Sequence, residues 1–430
     1  MNRHTEFAQI IAKLKARGAE KVSLRVWTVS EEEFNLVYKE LNLLRSVEKQ
    51  GLALSVIKDQ KQARTQLNQM DEASVDAAIE ELMTSIESSN ADPAFDISPS
   101  QEPATFTDGP MQMDAGKIVS SLSEFADEMK RDFPCVGFDA TLTFMKTKDI
   151  QMNSNGVDYE VNKGYYSFNT MFTAKIGSKM SSFNYTGFAL KDLDTPLMEM
   201  NETRELIRQI TQQTETKPIP GNFKGEVILA PFVHGSLLVS LISQHFGDSG
   251  LITSSSRFPD HLEQKILDEK LTVWNHPRDE RLACKEFVTF DNFLTADAPL
   301  IEKGVLKHYP IAIFTSNKTG KARTIGPVEN LVVEGGDTAL AEMISGVKEG
   351  VLCMRASFGS PNANGDLSAV LKNSYYIKDG KIRFPISETM MSVNLIDVFN
   401  RIKSLSREVY NDGTNILPYV CVMDADFSCK

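Results

Sequence analysis

The chain contains six histidines, and none of them is followed by glutamate. This excludes the helical zinc-peptidase patterns built on H-E, in which histidines bind zinc and the glutamate acts as the base. His234 and His245 share one face of a predicted helix, Pro231–Phe246. At a rise of ~1.5 Å per residue, they stand about 16 Å apart along its axis. One metal ion cannot bind both side chains, and the sequence predicts no metal site in this chain.

His234 has two interpretations. In the first, it is a residue at the start of a helix whose ring is satisfied by backbone groups or solvent. In the second, it is the remnant of a metal site and contacts a substrate. His245 falls near the end of the same helix, where the helix dipole favours a basic side chain.

Other catalytic patterns are also missing from the sequence. The stretch G-D-S-G at 247–250 has the wrong spacing for the nucleophile elbow G-x-S-x-G. The stretch T-G-K at 319–321 lacks the upstream glycine of a phosphate-binding loop. No G-x-G-x-x-G dinucleotide motif occurs, so the sequence predicts no nucleotide cofactor.

The cysteines predict free thiols, because no two of them have C-x-x-C spacing. They are Cys135, Cys284, Cys353, Cys421 and Cys429. Free thiols are typical of a reducing compartment. The first residues predict an amphipathic helix and not a signal peptide, and no apolar run approaches the ~20 residues that cross a bilayer. We therefore expect a soluble, cytoplasmic protein.

The chain is acidic, with 46 Lys and Arg against 58 Asp and Glu, a formal net charge of -12. Nucleic-acid binding requires clustered basic side chains that neutralise phosphates. The densest basic stretch, Lys318–Arg323, has three positive charges and is better explained as a solvated loop. We expect neither nucleic acid nor a membrane as a partner.

Length and pattern divide the chain into several regions. Its 430 residues predict two or three domains at ~150 residues each. Residues 1–90 combine helices with alternating strands and form the first α+β domain. Residues 91–113, rich in proline and polar side chains, predict a linker or mobile loop. Residues 114–222 form a central α+β region, and residues 223–430 a β-rich domain.

Several elements can be predicted individually. Asp71 and Asp114 are expected to cap the N-termini of two helices. Turn signals at 303–304 and 379–380 each predict a β-hairpin. Apolar spacing over Val393–Val409 predicts a long helix. The fold class is α+β, with an N-terminal α/β sandwich-like region and a large, mainly antiparallel β C-terminal domain with short helices.

Six short motifs in the C-terminal half occur in the order in which the TldD/PmbA (TldE) family has them. They are Phe290-Asp291, Leu300–Leu306, Asn330-Leu331 with Glu334–Asp337, Gly365–Ser368, Asp379–Ile382 with Pro385, and Asn394-Leu395. Residues 220–430 therefore resemble this family, whose members were once described as modulators of DNA gyrase. Over residues 1–215 the resemblance rests mainly on the order of elements.

The resemblance implies a division of roles. TldD-like chains have H-E-x-x-x-H, which supplies two zinc ligands and a catalytic glutamate, and PmbA-like chains lack it. Here the region is Leu229–Phe246, where His234-Gly235-Ser236 stands in place of H-E, so the chain resembles the PmbA side. This implies no cofactor and no catalytic residue here, with zinc on a TldD-like partner. The positions expected to contact substrate are His234, Asp291, Asn330 and Ser368.

Three functions are compatible with these observations. The first is a non-catalytic PmbA/TldE-like subunit of a TldD/TldE-type zinc metallopeptidase complex that acts on unfolded peptides or proteins. Phe287–Phe290 is then either a strand edge that pairs with a peptide or an interior strand. The second is a homodimeric peptide-binding or scaffold protein. The third is a hydrolase with an unrecognised site, for which His234, Asp291 and a late cysteine such as Cys353 are candidates. The first is expected, and it leaves open whether this chain is itself an enzyme. The chain departs from the family at Asn292-Phe293, where the family has Asp-Glu-Gly. Because of this difference, the resemblance does not determine whether the substrate groove and the partner surface are those of the family.

Overall fold

The computed structural model describes the backbone of residues 3–37 and 40–429, and the side chains from residue 6 onward within these ranges. Two large, mainly antiparallel sheets with short helices between and around them form the protein, which confirms the predicted α+β class. The α-helices of this part of the chain are α1 (Arg3–Ala16), α2 (Glu72–Ser85), α3 (Ala115–Asp132), α4 (Thr203–Gln212), α5 (Pro231–His245), α6 (Asp248–Ile252), α7 (Ile313–Thr319), α8 (Leu340–Ser345) and α9 (Leu395–Asn400).

The N-terminal sheet comprises β1 (Lys21–Val37), β2 (Glu40–Lys58), β3 (Lys61–Leu67), β4 (Ala104–Asp108), β5 (Val136–Asn153), β6 (Asp158–Ile176), β7 (Lys179–Met180) and β8 (Asn184–Leu190). Its main path runs β3-β2-β1-β5-β6-β4, and β7 and β8 also pair with β6. Neighbouring strands are antiparallel except for β4 and β6. Alternate residues of these long strands face the core, which is the pattern of a sheet with one solvated face.

The C-terminal sheet comprises β9 (Phe223–Leu229), β10 (Val273–Asn275), β11 (Ala298–Glu302), β12 (Val305–Leu306), β13 (Leu331–Val333), β14 (Glu349–Cys353), β15 (Arg355–Phe358), β16 (Asp366–Lys372), β17 (Tyr375–Lys378), β18 (Lys381–Pro385), β19 (Thr389–Asn394), β20 (Ile402–Asn411) and β21 (Ile416–Cys429). Its main path runs β12-β11-β10-β13-β21-β9-β14-β17-β18. The last strand, β21, pairs with β9, β13, β19 and β20 and so organises the sheet.

One continuous apolar core joins the two sheets. It includes Phe125 of α3, Phe168 of β6, Ile228 of β9, Leu238 of α5 and Tyr419 of β21, all with 1% exposure or less. Burying one large apolar side chain contributes about 1.5–3 kcal/mol, so this shared core holds the two sheets together. A separate core lies under α1 and α2 at the far end of the N-terminal sheet.

Most of the individually predicted elements are confirmed. Asp71 accepts a hydrogen bond from the backbone N–H of Ser74, and Asp114 accepts one from Lys117, so both cap their helices. Both hairpins turn at the predicted residues, β11–β12 at 303–304 and β17–β18 at 379–380. All four turn residues have positive φ, as a two-residue turn between twisted strands requires.

The predicted long helix over Val393–Val409 is wrong. Asn394 does cap a helix, because its side chain accepts the N–H of Ile396, but α9 ends after six residues. From Ile402 the chain forms β20, which pairs with β21. Strand pairing with a buried neighbour has overridden an apolar spacing that also fits a helix.

The predicted regional boundaries stay a prediction. Strands from both sides of residues 91–113 share the N-terminal sheet, and within that stretch β4 pairs with β6. The shared core also continues across the predicted boundary at 222–223. In the part of the chain that the structure describes, no helix is long and apolar enough to cross a membrane.

Candidate functional site

Helix α5 lies in the region that, by the sequence resemblance, corresponds to the H-E-x-x-x-H motif of the zinc-binding chains. It follows β9 directly, begins with Pro231 as its first helical residue and packs against β21, where Gly235 allows the close approach of Leu417. A Cβ atom on Gly235 would lie only 2.6 Å from Leu417 Cδ1. The helix is buried on most of its surface, while Phe232 and Val239 are about half exposed.

His234 lies wholly inside the protein, with 0% exposure. Neither of its ring nitrogens makes a hydrogen bond to a described residue. Burial lowers the pKa of His234 to about 3, because the charged imidazolium is unfavourable away from water, and an interaction with the Ala230 backbone offsets this only in part. The ring is therefore neutral at physiological pH.

The residues on α5 do not fit a zinc ion. With His234 as the first histidine of H-E-x-x-x-H, Gly235 stands at the glutamate position and Val239 at the second histidine. A zinc site requires three or four protein ligands, and these three motif positions offer one. Across the residues whose side chains are described, no three His, Cys, Asp or Glu side chains are arranged so that they could hold a metal ion.

A cavity of about 280 Å³ opens beside the N-terminal end of α5, between the two sheets. Its lining combines aromatic, apolar and charged side chains from β8, α4, α5 and the strands around them. The principal residues are Tyr185, Asn201, Glu202, Leu206, Pro231, Phe232, Met354, Arg355, Tyr410, Asp412 and Leu417. The mixture of an apolar wall with a few convergent polar groups is typical of a ligand site.

Arg355, the first residue of β15, is fixed in this cavity by neutral groups. Its Nε donates a hydrogen bond to Asn184 Oδ1 at 3.0 Å, and its Nη2 donates to the Tyr185 backbone carbonyl. The guanidinium carbon lies 4.2 Å from the ring centre of Tyr185 and 4.7 Å from that of Phe232. Cation–π contacts of this kind hold a charged group in a defined plane.

Glu202 and Asp412 are the two acidic residues that line the cavity. Glu202 lies just before α4 with φ of 59°, after Asn201 with φ of 44°. Two successive non-glycine residues in the left-handed region cost energy, and such strain is concentrated at functional sites. The Tyr419 hydroxyl donates to Glu202 Oε1 and Oε2, at 2.9 and 3.0 Å. Burial raises the pKa of Glu202 to about 7, against hydrogen bonds from Tyr419 and Tyr410 that lower it.

The structure places the four predicted substrate contacts apart from one another. Asn330 is buried, and its side-chain nitrogen donates to the carbonyls of Cys284 and Thr414. Ser368 lies on β16 and lines a separate open cleft of about 730 Å³. His234 is enclosed in α5, as described above. Whether any of them contacts substrate stays a prediction.

Asp291 is part of a buried ion pair. Its carboxylate accepts two hydrogen bonds from Arg323, at 2.9 and 2.8 Å, and a third from the N–H of Ile313 at 2.9 Å. The side chains of Asp291 and Arg323 are 7% and 10% exposed. These contacts fold the surrounding loop, and the predicted strand over Phe287–Phe290 is wrong. Only an isolated bridge, Val288 to Leu294, forms there, because the chain turns at Asn292 with φ of 64°.

The sequence interpretation missed the cavity beside α5. The polar side chains of this cavity come from positions spread over more than two hundred residues, namely Glu202, Arg355, Tyr410 and Tyr419. No two of them belong to a recognisable sequence motif. The left-handed backbone at Asn201 and Glu202 could not be predicted either, because neither residue is a glycine. The convergence of these side chains is a property of the two joined sheets.

Comparison with known proteins identifies a matching family model and several relatives. Residues 222–429 match the family model of the PmbA/TldA metallopeptidase C-terminal domain. An uncharacterized protein of Methanocaldococcus jannaschii is 22% identical over 391 residues, 86% of this chain and 87% of its own. Metalloprotease PmbA of Escherichia coli O157:H7 is 24% identical over 240 residues, 54% of this chain and 51% of its own, so that alignment spans about half of PmbA.

Two solved structures have the same fold over the whole chain. A protein described as a modulator of DNA gyrase from Bacteroides thetaiotaomicron superposes with a TM-score of 0.87 at 19% identity, covering 100% of both chains. TldE from Thermococcus kodakarensis superposes with a TM-score of 0.80 at 16% identity, covering 98% of this chain and 99% of its own. The fold and the C-terminal domain define a metallopeptidase-like protein. Residues 222–429 therefore belong to the TldD/PmbA family, and the whole chain has the fold of TldE.

Proposed function

We propose that this chain is a non-catalytic, TldE-like subunit that pairs with a TldD-like zinc peptidase and helps to enclose unfolded peptides. The observation that carries the proposal is α5, where Gly235 and Val239 take the places of the catalytic glutamate and the second zinc ligand. The zinc belongs to the partner in this arrangement. Free thiols are typical of a reducing compartment, which supports a cytoplasmic location for the complex.

The burial of α5 supports this assignment. A catalytic zinc needs an open coordination position that water and substrate reach. His234 has no exposed surface, and its neighbours one helical turn on, Leu237 and Leu238, are buried apolar residues. Leu417 fills the space that a side chain at position 235 would need. The helix is built for packing and not for metal chemistry.

The surface offers apolar area that a partner can cover. Leu41, Leu43 and Leu44 of β2 are 44%, 45% and 62% exposed, on the part of the β1–β2 ribbon that extends beyond β3. Phe183 and Phe232 are also about half exposed, near α5. Clusters of exposed apolar side chains are typical of protein–protein interfaces.

The test is reconstitution with the TldD-like chain of the same organism. We expect a stable complex with one zinc per TldD-like subunit. This complex should cleave an unstructured peptide faster than either chain does alone. Alanine at a histidine of the partner's H-E-x-x-x-H should abolish cleavage. The matched variant here, His234→Ala, should leave cleavage per folded complex within about twofold.

The alternatives give different results in the same experiment. A chain that binds about one zinc by itself and loses peptide cleavage on His234→Ala would be a hydrolase in its own right. A stable homodimer that ignores the TldD-like chain would be a scaffold or peptide-binding protein. Either result would overturn the proposal.

A further inference from the structure

Arg355 makes no close ion pair in the described part of the chain, and the charge of Glu202 acts on it only from a distance. No carboxylate of a described residue lies within ion-pair distance of it, and both of its hydrogen-bond acceptors are neutral. Its Nη1 makes no hydrogen bond to the described part of the chain. A guanidinium withdrawn from bulk water normally pairs with an anion, because desolvating an unpaired charge is costly. Arg355 therefore presents one unused donor edge in the cavity beside α5.

Arg323 shows how this protein compensates an arginine when the charge is purely structural. Its guanidinium donates two hydrogen bonds to Asp291 and stacks on Phe293, with 3.7 Å between the guanidinium carbon and the ring centre. Arg355 has the same aromatic support, from Tyr185 and Phe232, but lacks the carboxylate. The missing group is one that a ligand can supply in the bidentate geometry that arginine favours.

The rest of the cavity limits what else the ligand contains. Leu206, Met354 and Leu417 form an apolar wall, and each is 7% exposed or less. The positive end of the α5 dipole, at Pro231, adds to the attraction for an anion. A volume of about 280 Å³ is at the small end for ligand sites and fits a single residue or a small acid.

The acidic residues of the cavity do not block such a ligand. Asp412 turns one oxygen toward the backbone N–H groups of Thr414 and Asn415. Glu202 is held by the Tyr419 hydroxyl and makes no close ion pair with Arg355, although burial lowers the pKa of that guanidinium and the charge of Glu202 partly offsets this. Burial raises the pKa of Glu202 to about 7, so part of it is uncharged at neutral pH.

We propose that the cavity beside α5 binds a carboxylate next to an apolar side chain, with Arg355 as the anchor. This chemistry is shared by the C-terminal residue of a peptide and by a small apolar organic acid. The carboxylate would accept hydrogen bonds from Arg355, and the apolar group would lie against Met354 and Leu417. The inference concerns this chain alone and does not require a peptidase partner.

Calorimetric titration of the whole chain with matched probes tests the proposal. The probes are acetyl-alanyl-leucine with a free carboxylate, the same dipeptide as its C-terminal amide, and 4-methylpentanoate. We expect the free acid to bind at least tenfold more tightly than the amide. Tighter binding of the peptide acid than of 4-methylpentanoate assigns the site to peptide C-termini, and the reverse order assigns it to small acids.

Variants separate Arg355 from general charge effects. Arg355→Met should weaken binding of the free acid at least tenfold and remove the preference over the amide, and Arg355→Lys should restore part of it. The control Arg401→Met removes an equal charge from the separate 730 Å³ cleft and should leave binding unchanged. Equal affinity of acid and amide for the unmodified chain, or no binding of either, would overturn the proposal without reference to any variant's stability.

Discussion

Replacing His234 with leucine tests the interpretation of α5 most directly. The ring is completely buried, its two nitrogens have no hydrogen-bond partner among the described residues, and burial lowers its pKa to about 3. An unpaired buried polar group costs about 1–3 kcal/mol. Leucine fills a similar space without that cost. We therefore expect the free energy of unfolding to rise by about 1 kcal/mol at pH 7.

The pH dependence gives the sharper number. Because the pKa of His234 is lower in the folded state than the ordinary value near 6.5, protonation favours the unfolded chain. The stability that neutral His234 provides is complete above pH 6.5 and is lost as the pH falls toward 3. Linkage with pKa values of 6.5 and 3 gives a loss of about 2.5 kcal/mol between pH 7 and pH 4.5. Leucine does not titrate, so the advantage of His234→Leu should grow by that amount.

Urea denaturation of both proteins at pH 7 and pH 4.5 measures this difference. Every other titrating group is common to the two proteins and cancels when their unfolding free energies are subtracted. His276→Leu is the control, because that ring is 33% exposed and lies 2.9 Å from the Asp297 carboxylate. If the unfolding free energies of His234→Leu and the unmodified protein differ by the same amount at both pH values, the reasoning is refuted. That result would mean that the ring is hydrated or paired in solution.

Three further predictions concern other parts of the chain. Asp291→Asn leaves Arg323 unpaired inside the protein and should lower the free energy of unfolding by about 3–5 kcal/mol in urea denaturation, while adding Arg323→Met should recover most of it. A loss under 1 kcal/mol would contradict the buried pair. Gly235→Ala should cost about 1–3 kcal/mol, since its Cβ would meet Leu417, and the same change in a Leu417→Ala background should cost clearly less in a double-mutant cycle. Additive costs would show that the two residues do not touch. Cys429 is exposed and should react first with a disulfide reagent in the folded protein. Cys353 and Cys421, whose pKa burial raises to about 12, should react only after unfolding. Rapid labelling of all thiols in the folded protein would contradict this burial.

Local chemistry explains what could be predicted from the sequence. Helix caps such as Asp114 and hairpin turns such as Asp379-Gly380 depend on a few adjacent residues, and the structure has them where the sequence places them. The stretch from 402 to 409 is predicted as helix but belongs to β20, because its apolar spacing fits both structures and pairing with β21 decides between them. Local pattern cannot show which distant strand is available.

The candidate site could not be predicted for a related reason. Arg355 looks in sequence like any residue at the start of a strand. Its unusual state depends on Asn184 and Tyr185 of β8 and on Phe232 of α5, two segments far from it in the chain. The buried state of His234 was also not visible, although its position on the helix was. Charge compensation is settled by tertiary contacts, which a single sequence does not display.

The central position of β21 has a consequence for how the protein is made. This strand is the partner of β9, β13, β19 and β20, and all of them precede it in the chain. Most strands of the C-terminal sheet are therefore synthesised before β21, the strand that joins them. The N-terminal sheet can close earlier, because β8 is complete by residue 190. We expect the second half to wait with exposed strand edges, the state in which a nascent chain depends most on chaperones.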